Sequence, residues 1–187
     1  MSTTRLSIAA RRSLLPTYKA SRPIWRSGQR LLSSSNEKTT ETGKKTVIQK
    51  WNGSKKYYMA ENEYVGVVVG KEATNSDYVI TDGVIAPGGF VPDHYHKWED
   101  QTFHIIHGEL EVKIGEEIGT ASAGDTIHCP RGVTHYMKNS GTEEAKLISY
   151  IFPGDWAEDF MAETSRQNHS GKNDLELIEE KFGVVYV

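Results

Sequence analysis

The chain has 187 residues, 37% of them hydrophobic, and 22 basic against 25 acidic side chains give a net charge of −3. That length suffices for one domain with a substantial core, and the single cysteine, Cys129, excludes an internal disulfide and fits a reducing compartment. No run approaches a membrane span, and no Cys/His finger spacing, phosphate-binding glycine loop or Gly-x-Ser-x-Gly elbow occurs, which argues against several large enzyme classes.

Residues 1–36 contain no Asp or Glu but hold Arg5, Arg11, Arg12, Lys19, Arg22, Arg26 and Arg30 among many serines. Leu6, Ala10 and Leu14 form an apolar stripe at helical spacing before Pro16. This is the composition of a mitochondrial transit peptide, so residues 1–33 are expected to be an import address for the matrix, with Arg30–Leu31–Leu32–Ser33 resembling a processing site. Without the seven basic residues, 15 basic face 25 acidic side chains, a net of −10. Phosphate binding needs a basic face, so a nucleic-acid partner is not expected, nor is a membrane.

Residues 34–56 are polar and read as a linker, with a short strand at Thr46–Gln49. Strands are then predicted at Tyr64–Val69, Tyr78–Ala86, Thr102–Ile106, Glu109–Ile114, Thr126–Cys129, Thr134–Lys138 and Lys146–Phe152. They are short, rich in β-branched and aromatic residues, and punctuated by glycines, the pattern of an all-β barrel or sandwich over residues 57–155. After Pro153 the pattern turns helical. Asp155 and Glu158 suggest a capping pair for a helix over Trp156–Arg166, and after the polar stretch Gln167–Asn173 a second helix runs from Asp174 to about Phe182, stopped by Gly183.

The chemistry concentrates in the strands. His94 and His96 are two apart, so on a strand both imidazoles leave one face. His135 opens a second strand after Pro130–Arg131–Gly132, a turn sequence. Three neutral imidazoles on rigid strands suit a divalent ion with coordination positions left open, which suggests chemistry rather than a structural ion. Gln101 shares a strand face with Phe103 and Ile105, whereas Asp100 points the other way if the strand already begins there. His104 is expected on the face opposite Gln101 and His107 at a glycine bend, both away from the site. His128 could line its rim, Tyr95, Lys97 and Trp98 its mouth, and Cys129 is expected to be a small buried side chain.

These residues resemble the cupin family. The first cupin signature is matched at Gly88, His94, His96 and Gly108, and the second at every fixed position: Gly124, Pro130, Gly132, His135 and Asn139. The departure is Gln101, which stands where the family usually has a ligand Glu. The resemblance implies a double-stranded β-helix, or jelly roll, with a helical tail over residues 156–187 similar to that of quercetinase-like members. It implies one divalent metal on His94, His96 and His135, with Gln101 as a neutral fourth ligand or a hydrogen-bonding neighbour. Iron(II) is the first expectation; nickel, manganese, copper and zinc are the alternatives. Glu99 or Asp100 could act as a base.

The implied function is a metal-dependent oxygenase acting on a small enolisable or phenolic molecule. A non-redox isomerase, decarboxylase or dehydratase, or a non-catalytic small-molecule binder, are the alternatives, because the fold alone does not choose. A homodimer is expected, since jelly rolls often cover sheet edges by pairing.

Overall fold

The computed structural model describes residues 42–45, 47–49 and 53–187. The transit-peptide reading of residues 1–33 and most of the linker lie outside the described residues. Among the described residues, eleven strands and three helices follow in order: β1 Lys55–Ala60, β2 Glu63–Val69, α1 Lys71–Thr74, β3 Val79–Ile85, β4 Phe90–His96, β5 Asp100–His107, β6 Glu109–Ile114, β7 Glu117–Ser122, β8 Thr126–Cys129, β9 His135–Lys138, β10 Ala145–Phe152, α2 Ala157–Ser170, α3 Leu175–Phe182 and β11 Val184–Tyr186.

The strands form two antiparallel sheets, β1-β2-β3-β10-β5-β8 and β11-β4-β9-β6-β7. Alternation along β10, where every second residue is buried, shows why each sheet has one apolar face. The main core lies between the sheets: Phe103, Ile105, Ile127 and Leu147 from one meet Leu110, Ala121 and Met137 from the other. This is the jelly roll expected from the sequence.

The glycines and the asparagine of the two motifs hold the barrel together by bonding to each other. Gly88 N–H donates to Asn139 O at 2.9 Å and Asn139 N–H returns a bond to Gly89 O at 2.9 Å, while Gly132 N–H donates to the carbonyl of His96 at 2.7 Å. Gly132 has φ +77°, which L side chains rarely adopt, and Gly108, at φ +78°, has no room for a Cβ, which would stand 2.9 Å from Ala145 Cα.

Several elements depart from expectation. The described part of the strand expected at Thr46–Gln49 carries no strand, and Thr46 itself lies outside the described residues. β1 begins at Lys55, inside the stretch read as linker, and β7 and β11 were not foreseen. Asp155 and Glu158 do not cap α2. Its N-cap is Trp156, with no side-chain bond, and Glu158 Oε1 instead accepts the backbone N–H of Lys71 at 2.6 Å. α2 runs on to Ser170, past the expected end at Arg166 and through the start of the expected loop. Asp174, by contrast, caps α3 by accepting the Leu177 N–H at 3.0 Å, and Gly183 ends it in the left-handed region.

Candidate metal centre

β4 carries two of the histidines, and its irregular register positions them. Val91 pairs with Met137 and His94 with His135, so β4 has one extra residue between these pairs, at Pro92–Asp93. Pro92 cannot donate to a ladder, so a bulge is where it fits. The bulge sets His94 directly across from His135, with His96 on the same face and Tyr186 of β11 across from His94 on the other side. The ring centroids lie 4.3 Å apart for His94 and His135, 5.2 Å for His94 and His96, and 5.6 Å for His96 and His135.

Each ring is oriented through Nδ1. His94 Nδ1 lies 2.8 Å from Pro92 O, His96 Nδ1 3.0 Å from Glu99 Oε2, and His135 Nδ1 3.0 Å from Val133 O. A carbonyl can only accept, so Nδ1 of His94 and of His135 carries the hydrogen and leaves Nε2 of a neutral ring with its lone pair, while His96 Nδ1 is held by the Glu99 carboxyl group. The Nε2 atoms of His96 and His135 are buried without a partner. Burial first, then the neighbouring His135 and His96, hold His94 well below the ordinary imidazole range. Burial lowers His135 to about 4. Both are therefore neutral at neutral pH, the form that binds metals.

The three residues offer ligand nitrogens within 4.8 Å of one another. Metal–nitrogen bonds of about 2.1 Å at tetrahedral or octahedral angles put two nitrogens about 3.0–3.4 Å apart, so gathering the three on one ion asks for shifts of about 1 Å per ring. Buried lone pairs with no partner, neutral rings and a common centre together make a donor set that fits a divalent metal.

The other polar groups are placed as follows. Gln101 and Glu99 line the same cavity of about 530 Å³ as His94 and His96. Gln101 Nε2 donates to Ser149 Oγ at 3.1 Å, and its Oε1 is buried without a partner. Glu99 is only 3% exposed, and its Oε1 is likewise unpartnered. Asp100 is not available as a base. It receives bonds from Arg131 N, Nε and Nη2, and these hold its carboxyl at about 2.

Thr102 and His128 pair at 2.9 Å and His104 and Thr126 at 3.1 Å on the exposed side of β5 and β8, and His107 reaches Glu143; none of these histidines joins the cluster. Lys97 pairs with Glu179, and the Trp98 ring fills the space beside Gly183 where a Cβ would stand 2.8 Å away. Burial pushes the Cys129 thiol up to about 12, which suits a core side chain and not a nucleophile. Sequence reasoning missed Tyr186, whose ring lies 5.7 Å from His94 and which lines the cavity.

Residues 82–151 match the family described as the cupin domain. Over 99 residues the chain is 33% identical to germin-like protein 5-1 of Oryza sativa subsp. japonica, covering 47% of this chain and 45% of that protein. Over 89 residues it is 24% identical to quercetin 2,3-dioxygenase of Bacillus subtilis (strain 168), covering 47% of this chain and 26% of that protein. The chain spans less than half the length of the first curated relatives it matches. Among solved structures, an RmlC-like cupin from Shewanella frigidimarina NCIMB 400 superposes with a TM-score of 0.52 at 18% identity, covering 60% of this chain and 94% of that one, a likeness of fold.

Proposed function

We propose, from the match of residues 82–151 to the cupin domain, that the chain is a metal-dependent oxygenase acting on a small enolisable or phenolic molecule. The observation that carries this is the convergence of His94, His96 and His135, each with Nδ1 committed and, in His96 and His135, a buried Nε2 without a partner. The relation to quercetin 2,3-dioxygenase favours the oxygenase reading over the others.

His94, His96 and His135 would hold the ion, and Gln101, whose amide nitrogen is anchored on Ser149 and whose Oε1 has no partner, would add a neutral oxygen donor. When bound, a divalent ion supplies a Lewis-acidic centre that favours the anionic form of an enol or phenol, and iron(II) adds redox capacity. Because all four donors are neutral, they do not offset the positive charge that attracts an anionic substrate. Glu99, which lines the cavity, orients His96 through Oε2, and its unpartnered Oε1 would take the proton released by the substrate. The apolar walls exclude water from that exchange.

The free oxygen of Glu99 also supports a second reading, a non-redox isomerisation or decarboxylation in which proton transfer is the main step. Oxygen consumption by iron-loaded protein separates the two. With enolisable diketones and catechols as trial substrates, the oxygenase reading expects stoichiometric uptake that His135→Ala abolishes. Turnover that proceeds unchanged under anaerobic conditions contradicts it. Import into the mitochondrial matrix and a homodimeric state belong to the same proposal; the acid-free basic stretch of residues 1–36 supports the first.

A further inference from the structure

The cavity extends well past His94 and His96, the two histidines that line it. Its volume of about 530 Å³ lies in the range that holds drug-sized molecules. Away from the histidine end the walls are mostly apolar, with Val65 of β2 and Leu147 of β10 from one sheet, Val91 of β4 from the other, and Phe160 and Met161 of α2, while Glu63, Thr81, Asp82, Asn168 and Asn173 add polar groups. Such walls favour an apolar occupant over water.

Thr164, also on α2, interrupts this lining. Its hydroxyl is buried and has no hydrogen-bond partner. A helical threonine ordinarily returns its hydroxyl to a carbonyl three or four residues back. Its polar neighbours on the helix are committed: Asn168 Nδ2 donates to Met59 O at 2.7 Å, and Gln167 bonds Glu163 and the Asp174 N–H. Buried hydroxyls are nearly always satisfied, so one left free at a cavity wall points to a partner that arrives with a ligand.

We propose that the cavity binds a largely apolar, drug-sized molecule that places an oxygen-bearing end at the histidines and a second hydroxyl or carbonyl against Thr164. The first of these ends rests on the metal reading above. The second and the apolar middle do not. Thr164 is then a specificity-determining residue, selecting ligands with two oxygen functions separated by a hydrocarbon segment.

The test is calorimetric titration of the full chain, zinc-loaded and metal-free, with 4-alkylcatechols from methyl to hexyl and with 4-(6-hydroxyhexyl)catechol. Each added methylene is expected to tighten binding up to roughly fourfold until the cavity is full, with the same slope in both forms and a constant gain from zinc. Val65→Phe, which fills the cavity, is expected to flatten the slope without changing zinc content. Thr164→Val is expected to weaken the hydroxyhexyl probe roughly tenfold and to leave the hexyl probe unchanged; this variant decides alone if Val65→Phe does not fold.

A flat slope in stoichiometrically zinc-loaded protein overturns the proposal while leaving the metal reading intact. A normal slope and Thr164 effect with no gain from zinc support the cavity proposal and overturn the metal reading instead. A slope unaffected by Val65→Phe, or equal loss of both probes in Thr164→Val, marks nonspecific binding and overturns the proposal.

Discussion

Glu99 Oε2 stands 3.0 Å from His96 Nδ1, and both side chains are buried. A carboxyl group there fixes the ring through Nδ1 and leaves Nε2 for the cluster with the other two histidines. Glu99→Gln keeps the shape but can present an N–H to the ring and favour the wrong tautomer. Metal affinity, measured by competition with a chelator, is expected to fall 10- to 100-fold, on the order of other such partners. An unchanged affinity would mean that the backbone alone orients His96.

Gln101 offers a buried oxygen without a partner beside the same cavity. Gln101→Glu is expected to act in opposite directions on the two forms. Metal-free protein loses stability, about 1–3 kcal/mol, because a carboxylate is buried without a counter-charge. Metal-loaded protein gains affinity for the divalent ion, and binding of anionic catecholates weakens as the site loses positive charge. Chemical denaturation of both forms checks the pair of signs, and equal shifts in both would place Gln101 outside the ion's reach.

The neutral, buried histidines make metal-free stability depend on pH. His135 is lowered from 6.5 to about 4 and His94 well below 6.5, so between these limits the unfolded chain binds more protons than the folded one. Stability is therefore fully present above pH 6.5 and falls as the pH drops toward about 4. Urea midpoints of metal-free protein from pH 7.5 to pH 4 are expected to show this decline, and His135→Gln to reduce its slope. A flat profile would contradict the neutral-ring assignment.

Asn139 closes the barrel rather than the site. It is 1% exposed, donates to Ile85 O at 2.9 Å and Glu143 O at 2.8 Å, and accepts the Gly141 N–H at 3.0 Å. Asn139→Ala leaves these backbone groups short of partners and is expected to cost about 3 kcal/mol, lowering the melting temperature by on the order of 10 °C. Protein that does refold is expected to keep its metal affinity, because no histidine contacts Asn139 through these bonds.

Much of the site was readable because its signals are local. Two histidines at a spacing of two must share a strand face, and the turn sequence Pro130–Arg131–Gly132 announces the strand that carries His135. What remained hidden depends on partners distant in sequence. β11 exists because Val184 and Tyr186 pair with His96 and His94, and nothing in three residues announces that. β7 has one buried residue in six, so its pattern lacks the alternation of a half-buried strand.

The Asp155 and Glu158 pattern matched a capping pair, but the backbone N–H of Lys71, 87 residues away, donates to Glu158 instead. Glu99 read as a loose acid near the site until the backbone between His96 and β5 brought it back to the ring it orients. Asp100, its neighbour in sequence, points outward to Arg131, as the strand alternation implied.

The central claim is that His94, His96 and His135 hold one divalent ion. It is tested most directly by the stoichiometry of iron(II) binding to the metal-free full chain under anaerobic conditions, beside His96→Ala and His135→Ala. The account predicts one ion per chain in the parent protein and weak or no binding in either variant, with the variants still folded by circular dichroism. Binding of one ion that survives both substitutions, or none in the folded parent protein, would contradict it.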